Sequence, residues 1–163
     1  MAEIIPATQA HLPAILNIIN HNILYSTAVY DYDVKPQQYI DNWFTDKQAA
    51  GWPVIVALEN EQVVGYGTYG PFRFKDGFKH TVEHSVYVAE GHSGKGIGGQ
   101  LLEELIHLGT SQGYHTMIGC IDADNAGSIA FHKKYGFIEA GLLKETGLKF
   151  GRWLDLLFLQ KML

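Results

Sequence analysis

Five glycines, at 91, 94, 96, 98 and 99, crowd the stretch VYVAEGHSGKGIGGQLL that begins at Val86. No other feature restricts the fold of this chain as strongly. A β-branched and aromatic run, 86–88, enters the glycines, and an amphipathic repeat leaves them. In that repeat Ile97, Leu101, Leu102, Leu105 and Leu108 share one helical face, and Gly113 stands where a C-terminal cap belongs. The order is strand, flexible turn, helix. Such a turn aims successive backbone N–H groups at one point, and the helix N-terminus adds roughly half a positive charge there. That suits a phosphate or pyrophosphate. Glycine is required because a Cβ keeps the anion from the amides, and Lys95 adds a charge at the rim.

A P-loop would read G-x-x-x-x-G-K-[ST], and the chain has no such string. Gly94, Gly96 and Gly99 satisfy G-x-G-x-x-G literally, and Asp122 lies ~20 residues on, where a ribose ligand belongs. However, the first glycine of a dinucleotide site comes directly off its strand, and here five residues separate Val88 from Gly94. The chain after Gly99 is also too short for the parallel strands of a nicotinamide-binding domain.

The surrounding 163 residues correspond to a single domain, 1–163, at ~100–200 residues per domain. With 9 Tyr, 8 Phe and 3 Trp the chain has the aromatic content of a folded core. A formal charge of -5 argues against a nucleic-acid-binding face. No run of ~18 apolar residues offers a membrane span. The N-terminus lacks a basic start and reads as mature protein. One cysteine, Cys120, excludes an internal disulfide and points to a reducing, cytoplasmic setting.

Periodicity predicts the other elements. Residues 3–5 read as a strand. Thr8 reads as an N-cap for a helix that buries Leu12, Ile15, Leu16 and Ile19. Residues 24–34 show no period and read as a loop. Pro36 starts a helix that carries Tyr39, Ile40, Trp43 and Phe44 inward and ends near Gly51. Strands follow at 54–58 and 63–70 as a hairpin, then at 80–88 and 115–121. A short helix runs 125–135, and two last strands begin at Phe137 and Trp153. The order β-α-α-β-β-β-α-β-α-β-β predicts a mixed α/β sheet. The last strand is apolar on both faces, so it is either central or covered by a second subunit.

The glycine turn resembles the acetyl-CoA motif of the GNAT N-acetyltransferases: a strand, then R/Q-x-x-G-x-G/A, then a helix. NAGSIAFHKKYGF (125–137) resembles that family's second motif, N-x-x-[SA]-x-x-[FL]-Y-x-x-x-G-F. TVEHSVYV, KFGRWLDL and NHNILYSTAVYDYD resemble the phosphinothricin and methionine sulfoximine (or methionine sulfone) acetyltransferase group. The resemblance implies the GNAT fold, a mixed, mostly antiparallel sheet flanked by helices. It implies acetyl-CoA as co-substrate, a small amino-acid-like acceptor, no metal, and a homodimer. Val86, Tyr87 and Val88 would pair with the pantetheine arm. Gly94, Lys95, Gly96, Ile97, Gly98 and Gly99 would hold the pyrophosphate, with Asn125 and Ser128 on the pantetheine. Arg73, Phe74, Lys75, Glu83, His84 and Ser85 would face the acceptor. Two positions depart from the pattern: Ser93 stands where Arg or Gln is usual, and His132 where many members carry a Tyr acid.

Acetyl transfer to an amine needs a base for the ammonium, a donor for the tetrahedral oxyanion, and an acid for the thiolate. Glu83, on an apolar-leaning strand, is the candidate base, and its bland alternative is an ion pair with Lys79 or Arg73. The Val88 N–H is the family's usual oxyanion donor. His132 is the candidate acid; the alternative is a solvated helix histidine beside Lys133 and Lys134. Tyr135 reads as core packing. Cys120 reads as a small core residue, which leaves no covalent acyl-enzyme. Arg73, Lys75 and His80 form a cationic patch suited to an anionic amino acid. Tyr25, Thr27, Tyr30 and Tyr32 are candidate pocket walls. Competing readings are a protein N-terminus or polyamine as acceptor, and a CoA-binding module without catalysis.

Overall fold

Alternation along the central strands sets the architecture of the computed structural model, which describes all residues, Met1–Leu163. In β2 (Val54–Glu59), Val54 and Val56 point to one face and Ile55 and Ala57 to the other, and all four are buried. A strand buried on both faces must lie between two layers. One layer is α1 (Leu12–Tyr25) and α2 (Gln37–Ala50), whose Leu12, Ile15, Leu16, Ile40 and Phe44 cluster with Val54, Val56 and Tyr66. The other contains α3 (Ile97–Ser111), whose Ile97, Leu101, Leu102 and Leu105 cluster with Ile55, Ala57, Tyr69 and Val82. Each of those fully buried α3 leucines contributes about 1.5–3 kcal/mol.

The sheet has seven strands in the order β1-β2-β3-β4-β5-β7-β6. β1 (Glu3–Pro6) is one edge, followed by β2, β3 (Gln62–Pro71), β4 (Thr81–Val88) and β5 (Thr116–Asp122). β7 (Arg152–Met162) lies between β5 and the far edge strand β6 (Ile138–Lys149). Only β4 and β5 are parallel, with α3 as their crossover. The second crossover, from β5 to β6, is made by the short α4 (Ala126–Lys134). The interior place of β7 accounts for its two apolar faces without a second subunit.

The element order agrees with the sequence reading, and three local expectations change. Thr8 caps a 3₁₀ turn at Gln9–His11, and His11 takes the N-cap position of α1. Tyr39 is exposed rather than inward, because Ile40 and Phe44 occupy the buried stripe of α2. Gly99 is a packing position. It is buried in the first turn of α3, and a Cβ there would lie 2.0 Å from the Tyr135 hydroxyl.

The feature that matters for the site is where the parallel ladder stops. β4 and β5 pair only from Thr81↔Thr116 to Glu83↔Ile118. Beyond that point β4 stays on β3 as far as Gly65↔Val88, while β5 stays on β7 as far as Asp122↔Leu156. The sheet therefore opens between two strands that each keep their other partner.

Gly99→Ala is expected to cost about 1–3 kcal/mol in urea unfolding, as overpacking does. In a Tyr135→Leu background the same change should cost less, because the clashing ring is gone.

Candidate active site

The opening exposes backbone. Ala89 donates to the Val64 carbonyl at 2.8 Å, so it belongs to a hydrogen-bonded pair of the β3–β4 ladder. In an antiparallel ladder the alternate residues turn their polar groups away. Val88 and Val86 thus direct their amides and carbonyls toward β5, which has already departed. These are groups a buried strand cannot leave unmatched.

The same opening lets one cavity, of about 360 Å³, reach both faces of the sheet. Glu83, Ser85, Tyr87, Cys120 and Asp122 line it from the α1/α2 face. His84, Val86, Gly119 and Ile121 line it from the α3/α4 face, with Asn125, Ser128 and His132 of the α4 segment. Phe158 and Leu156 of β7 and Arg73, Thr27, Ala28 and Tyr30 complete the wall.

On the α1/α2 face Glu83 and Cys120 are neighbours. Burial raises the Cys120 thiol first, the hydrogen bond and charge of Glu83 raise it further, and Arg73 opposes them weakly. The thiol stays protonated at neutral pH. Cys120 is half-buried on the cavity wall, however, and is not the core residue the sequence suggested. Asp122 is buried and accepts from the Thr27 hydroxyl at 2.6 Å and the Asp124 amide at 3.0 Å, with Arg152 at 3.5 Å. Burial raises the Tyr30 phenol, and the Asp122 and Cys120 charges add to it. Arg73 stacks on Phe72 with its guanidinium 4.3 Å from the ring centre.

On the other face His84 and His132 meet. Their Nε2 atoms are 3.1 Å apart, and the rings stack with centres 5.0 Å apart. His132 Nδ1 lies 2.7 Å from the Ser128 carbonyl, so it must carry a proton and donate. Its Nε2 is then a bare acceptor, and His84 Nε2–H donates to it. His84 Nδ1 is left as a buried lone pair without a partner. Burial lowers both imidazoles below the ordinary range, and His132 lowers His84 further. The rings fit because Gly119 lies beneath them; a Cβ there would meet His84 Nε2 at 2.9 Å.

This geometry changes two sequence expectations. His84 does not share a face with Glu83 and Ser85, because alternation turns it to the opposite side of the sheet. His132 is neither solvated nor a lone acid: it is buried and both its nitrogens are engaged.

The glycine turn lies at the end of β4. Gly91, Gly94 and Gly96 have φ of +79°, +81° and +81°, a region that favours glycine. Among the amides of residues 93–99, none donates to a backbone carbonyl. Gly98 packs beside Val88 and Phe131, which places the turn against both β4 and α4. Lys95 is exposed at the rim, whereas the Ile97 side chain is core and offers only its amide. Asn125 caps α4, its Oδ1 accepting from the Ser128 amide at 3.0 Å, so its NH₂ is the group left for the cleft.

Several expected residues are elsewhere. Phe74 is 91% exposed, and with Lys75 it lies on a separate surface hollow beside Tyr114. Tyr25 and Tyr32 do not reach the cavity, while Thr27 and Tyr30 do. Asp122 and Phe158 were not anticipated as walls. The alternation of β5 already put Asp122 on one face with Cys120; Phe158 enters only through the pairing Cys120↔Phe158.

Comparison with known proteins gives one consistent picture. A model of the acetyltransferase (GNAT) family matches residues 18–137. An L-methionine sulfoximine/L-methionine sulfone acetyltransferase of Salmonella typhimurium is 42% identical over 154 residues, covering 94% of this chain and 90% of that protein. The crystal structure of a phosphinothricin acetyltransferase from Sinorhizobium meliloti in complex with acetyl-CoA superposes with TM-score 0.96 at 36% identity, over 99% of this chain and 88% of that one. A ribosomal-protein-alanine N-acetyltransferase from Brucella melitensis superposes with TM-score 0.97 at 46% identity, over 99% of both chains.

The histidine pair makes stability depend on pH. In the unfolded chain imidazoles titrate near about 6.5. The folded pair stays neutral below that, so there the unfolded chain binds more protons. The pair's contribution is complete above about pH 6.5 and is lost as pH falls toward the lowered folded values. Urea unfolding across this range should show a shallower pH slope for the His84→Leu/His132→Leu double variant than for the native chain.

Proposed function

The chain belongs to the acetyltransferase (GNAT) family, and from that premise we propose that it is an acetyl-CoA-dependent N-acetyltransferase of small amino-acid-like amines. The acceptors are of the methionine sulfoximine, methionine sulfone and phosphinothricin type. The observation that carries the reading is the cavity through the split sheet. It joins a face with free strand amides and an anion-suited turn to a face carrying Glu83 and Arg73.

The co-substrate fits the unmatched groups on the α3/α4 side. The amides of residues 93–99 would hold its pyrophosphate, with Lys95 at the rim, and Gly98 keeping the turn close to β4. The outward backbone of Val86 and Val88 would continue the β4 edge along the pantetheine, and the Asn125 NH₂ and Ser128 would hold its far side. Ser93 contributes its amide where a longer donor is usual in the family, so the glycine amides bear most of the load.

On the opposite face Arg73 receives the acceptor's carboxylate as a planar fork. Glu83 takes a proton from the ammonium, directly or through a water, and leaves the amine able to attack. The Val88 N–H points into the opening, where oxygen charge builds up, and stabilises it. Ser85, Tyr87 and Tyr30 shape the pocket. His132 acts with His84: the neutral pair can only take up a proton, at His84 Nδ1, the one ring nitrogen without a partner, and of the two protons the ammonium gives up, one goes to the departing thiolate. Phe74 and Lys75 have no place in this reading.

The quaternary expectation rests on β6. This edge strand leaves Ile138, Leu142, Leu143 and Leu148 exposed, and Phe150 and Trp153 beside it are exposed as well. Such a patch on a sheet edge calls for a cover, and we infer a homodimer. No helix is long and apolar enough to cross a membrane.

The deciding measurement is thiol release from acetyl-CoA with methionine sulfone, methionine sulfoximine and phosphinothricin, against a peptide beginning with alanine. Acceleration by the amino acids is expected. Acceleration by the peptide alone would move the acceptor to a protein N-terminus, the activity named for the Brucella melitensis relative. For Glu83→Gln, kcat should fall by about 10²–10⁴-fold while acetyl-CoA affinity is kept. Unchanged turnover at saturating acceptor would remove Glu83 from the mechanism.

A further inference from the structure

The connection between α1 and α2 is irregular, yet it supplies Thr27, Ala28 and Tyr30 to the cavity. A segment without regular structure makes a fixed wall only if something outside it holds it. The holder comes from the other end of the chain. Lys149, the last residue of β6, is 3% exposed. Its ammonium donates to the carbonyls of Ser26 at 2.7 Å and Asn22 at 3.4 Å, and to that of Val29.

These partners are specific in kind. Asn22 and Ser26 belong to the C-terminal end of α1, where unpaired carbonyls and the negative end of the helix dipole collect. Val29 lies one residue before Tyr30. Three carbonyls meet the three N–H donors of one ammonium. No carboxylate pairs with Lys149; burial pulls its pKa below the ordinary lysine range, and Asp31 opposes that from a distance. A cation buried without a counter-ion is costly, and three carbonyls offset that cost here; those of Ser26 and Val29 accept from no backbone N–H, while that of Asn22 also accepts from the Ser26 amide at 3.1 Å.

The two residues before Lys149 act on the same segment. Gly147 leaves room for the Tyr30 ring: a Cβ there would lie 2.8 Å from a ring carbon. The Tyr32 hydroxyl donates to the Leu148 carbonyl. One strand end thus grips the segment at Ser26, Val29, Tyr30 and Tyr32.

We propose that Lys149 is a positioning residue for the acceptor: its buried ammonium ties the end of α1 to residue 29 and so holds Thr27 and Tyr30 as a wall of the acceptor pocket. Lys149 does not line the cavity and touches no reactant. The proposal rests on the reading above in taking the Glu83 face as the acceptor side. The co-substrate side shares no element with this tether.

The test is Lys149→Met, with acceptor KM, kcat and acetyl-CoA Kd measured separately. Acceptor KM should rise about tenfold or more, with kcat and acetyl-CoA Kd held within about twofold. An unchanged acceptor KM, or an acetyl-CoA Kd that weakens in step with it, overturns the proposal. If Lys149→Met does not fold by circular dichroism, Gly147→Ala decides by the same split, since its methyl group displaces only the Tyr30 ring. Amide hydrogen exchange over residues 26–35 gives a readout independent of turnover. Faster exchange there in whichever variant folds supports the tether, and unchanged exchange overturns it. A native chain that turns over no acceptor sinks the functional reading alone, and the exchange result then judges Lys149.

Discussion

The rest of the site depends on the parallel ladder between β4 and β5 ending at Glu83↔Ile118. A parallel pair buried in the middle of a sheet is normally continuous, since every interrupted step strands backbone groups. Here the interruption is held from outside. β3 keeps β4, and β7 keeps β5, so the gap is a rigid consequence of two intact ladders. The cost of the free amides at Val86 and Val88 is the cost of a site. A ligand arm with its own amides can complete the broken edge much as a strand would. The gap also solves a topological problem. In the proposed reading, two reactants that must meet at one carbon would approach from opposite faces of the sheet, and neither would have to pass the other.

The two faces are fixed by different means. On the α3/α4 side, position comes from regular structure: a positive-φ turn running into α3, a capped α4, and a glycine against Tyr135. On the α1/α2 side it comes from a loop held by buried polar contacts, with Thr27 on Asp122 and the loop carbonyls on Lys149. This division matches the chemistry. In the proposed reading an invariant nucleotide carrier would be served by backbone, which offers the same N–H groups whatever the side chains are. A variable acceptor is served by a loop, whose residues can change without disturbing the sheet.

The order of the elements was legible because each is carried by a local period, and both motifs were legible because they are continuous in sequence. The residues whose place differs from the sequence expectation do so for separate physical reasons. Glu83, His84 and Ser85 were grouped as neighbours in sequence, although a strand turns His84 to the opposite face. The signal was present, and the pairing Val82↔Met117 shows which face is core. Phe74 and Lys75 failed differently. They sit in a connection whose path no period describes, and only Arg73 of that trio reaches the cavity. The splay left no mark on the sequence, since both strands keep a strand-like composition beyond the point where they part. Lys149 was invisible for a third reason. Its partners at Ser26 and Val29 are more than a hundred residues away, and a lysine at a strand end looks like any solvated charge.

The histidine pair shows how a departure from a family pattern can be balanced within one fold. A lone imidazole in place of a phenol on α4 would bury two nitrogens where one hydroxyl is usual. Ser128 accepts from one of them through its carbonyl, and His84 on β4 donates to the other. That arrangement needs the strand between them to give way, and β5 does so with Gly119. Three residues on three elements thus form one unit, and none of them makes physical sense alone. His132 without His84 leaves a buried acceptor bare, and either ring with a side chain at 119 has no room. The pair also bridges β4 to α4 across the gap. His132 is the one buried residue of that helix, so the imidazoles hold α4 against the opened sheet where most helices would use an apolar side chain. What began as a difference in a candidate acid is therefore, in this chain, part of what keeps the two walls of the cleft in register.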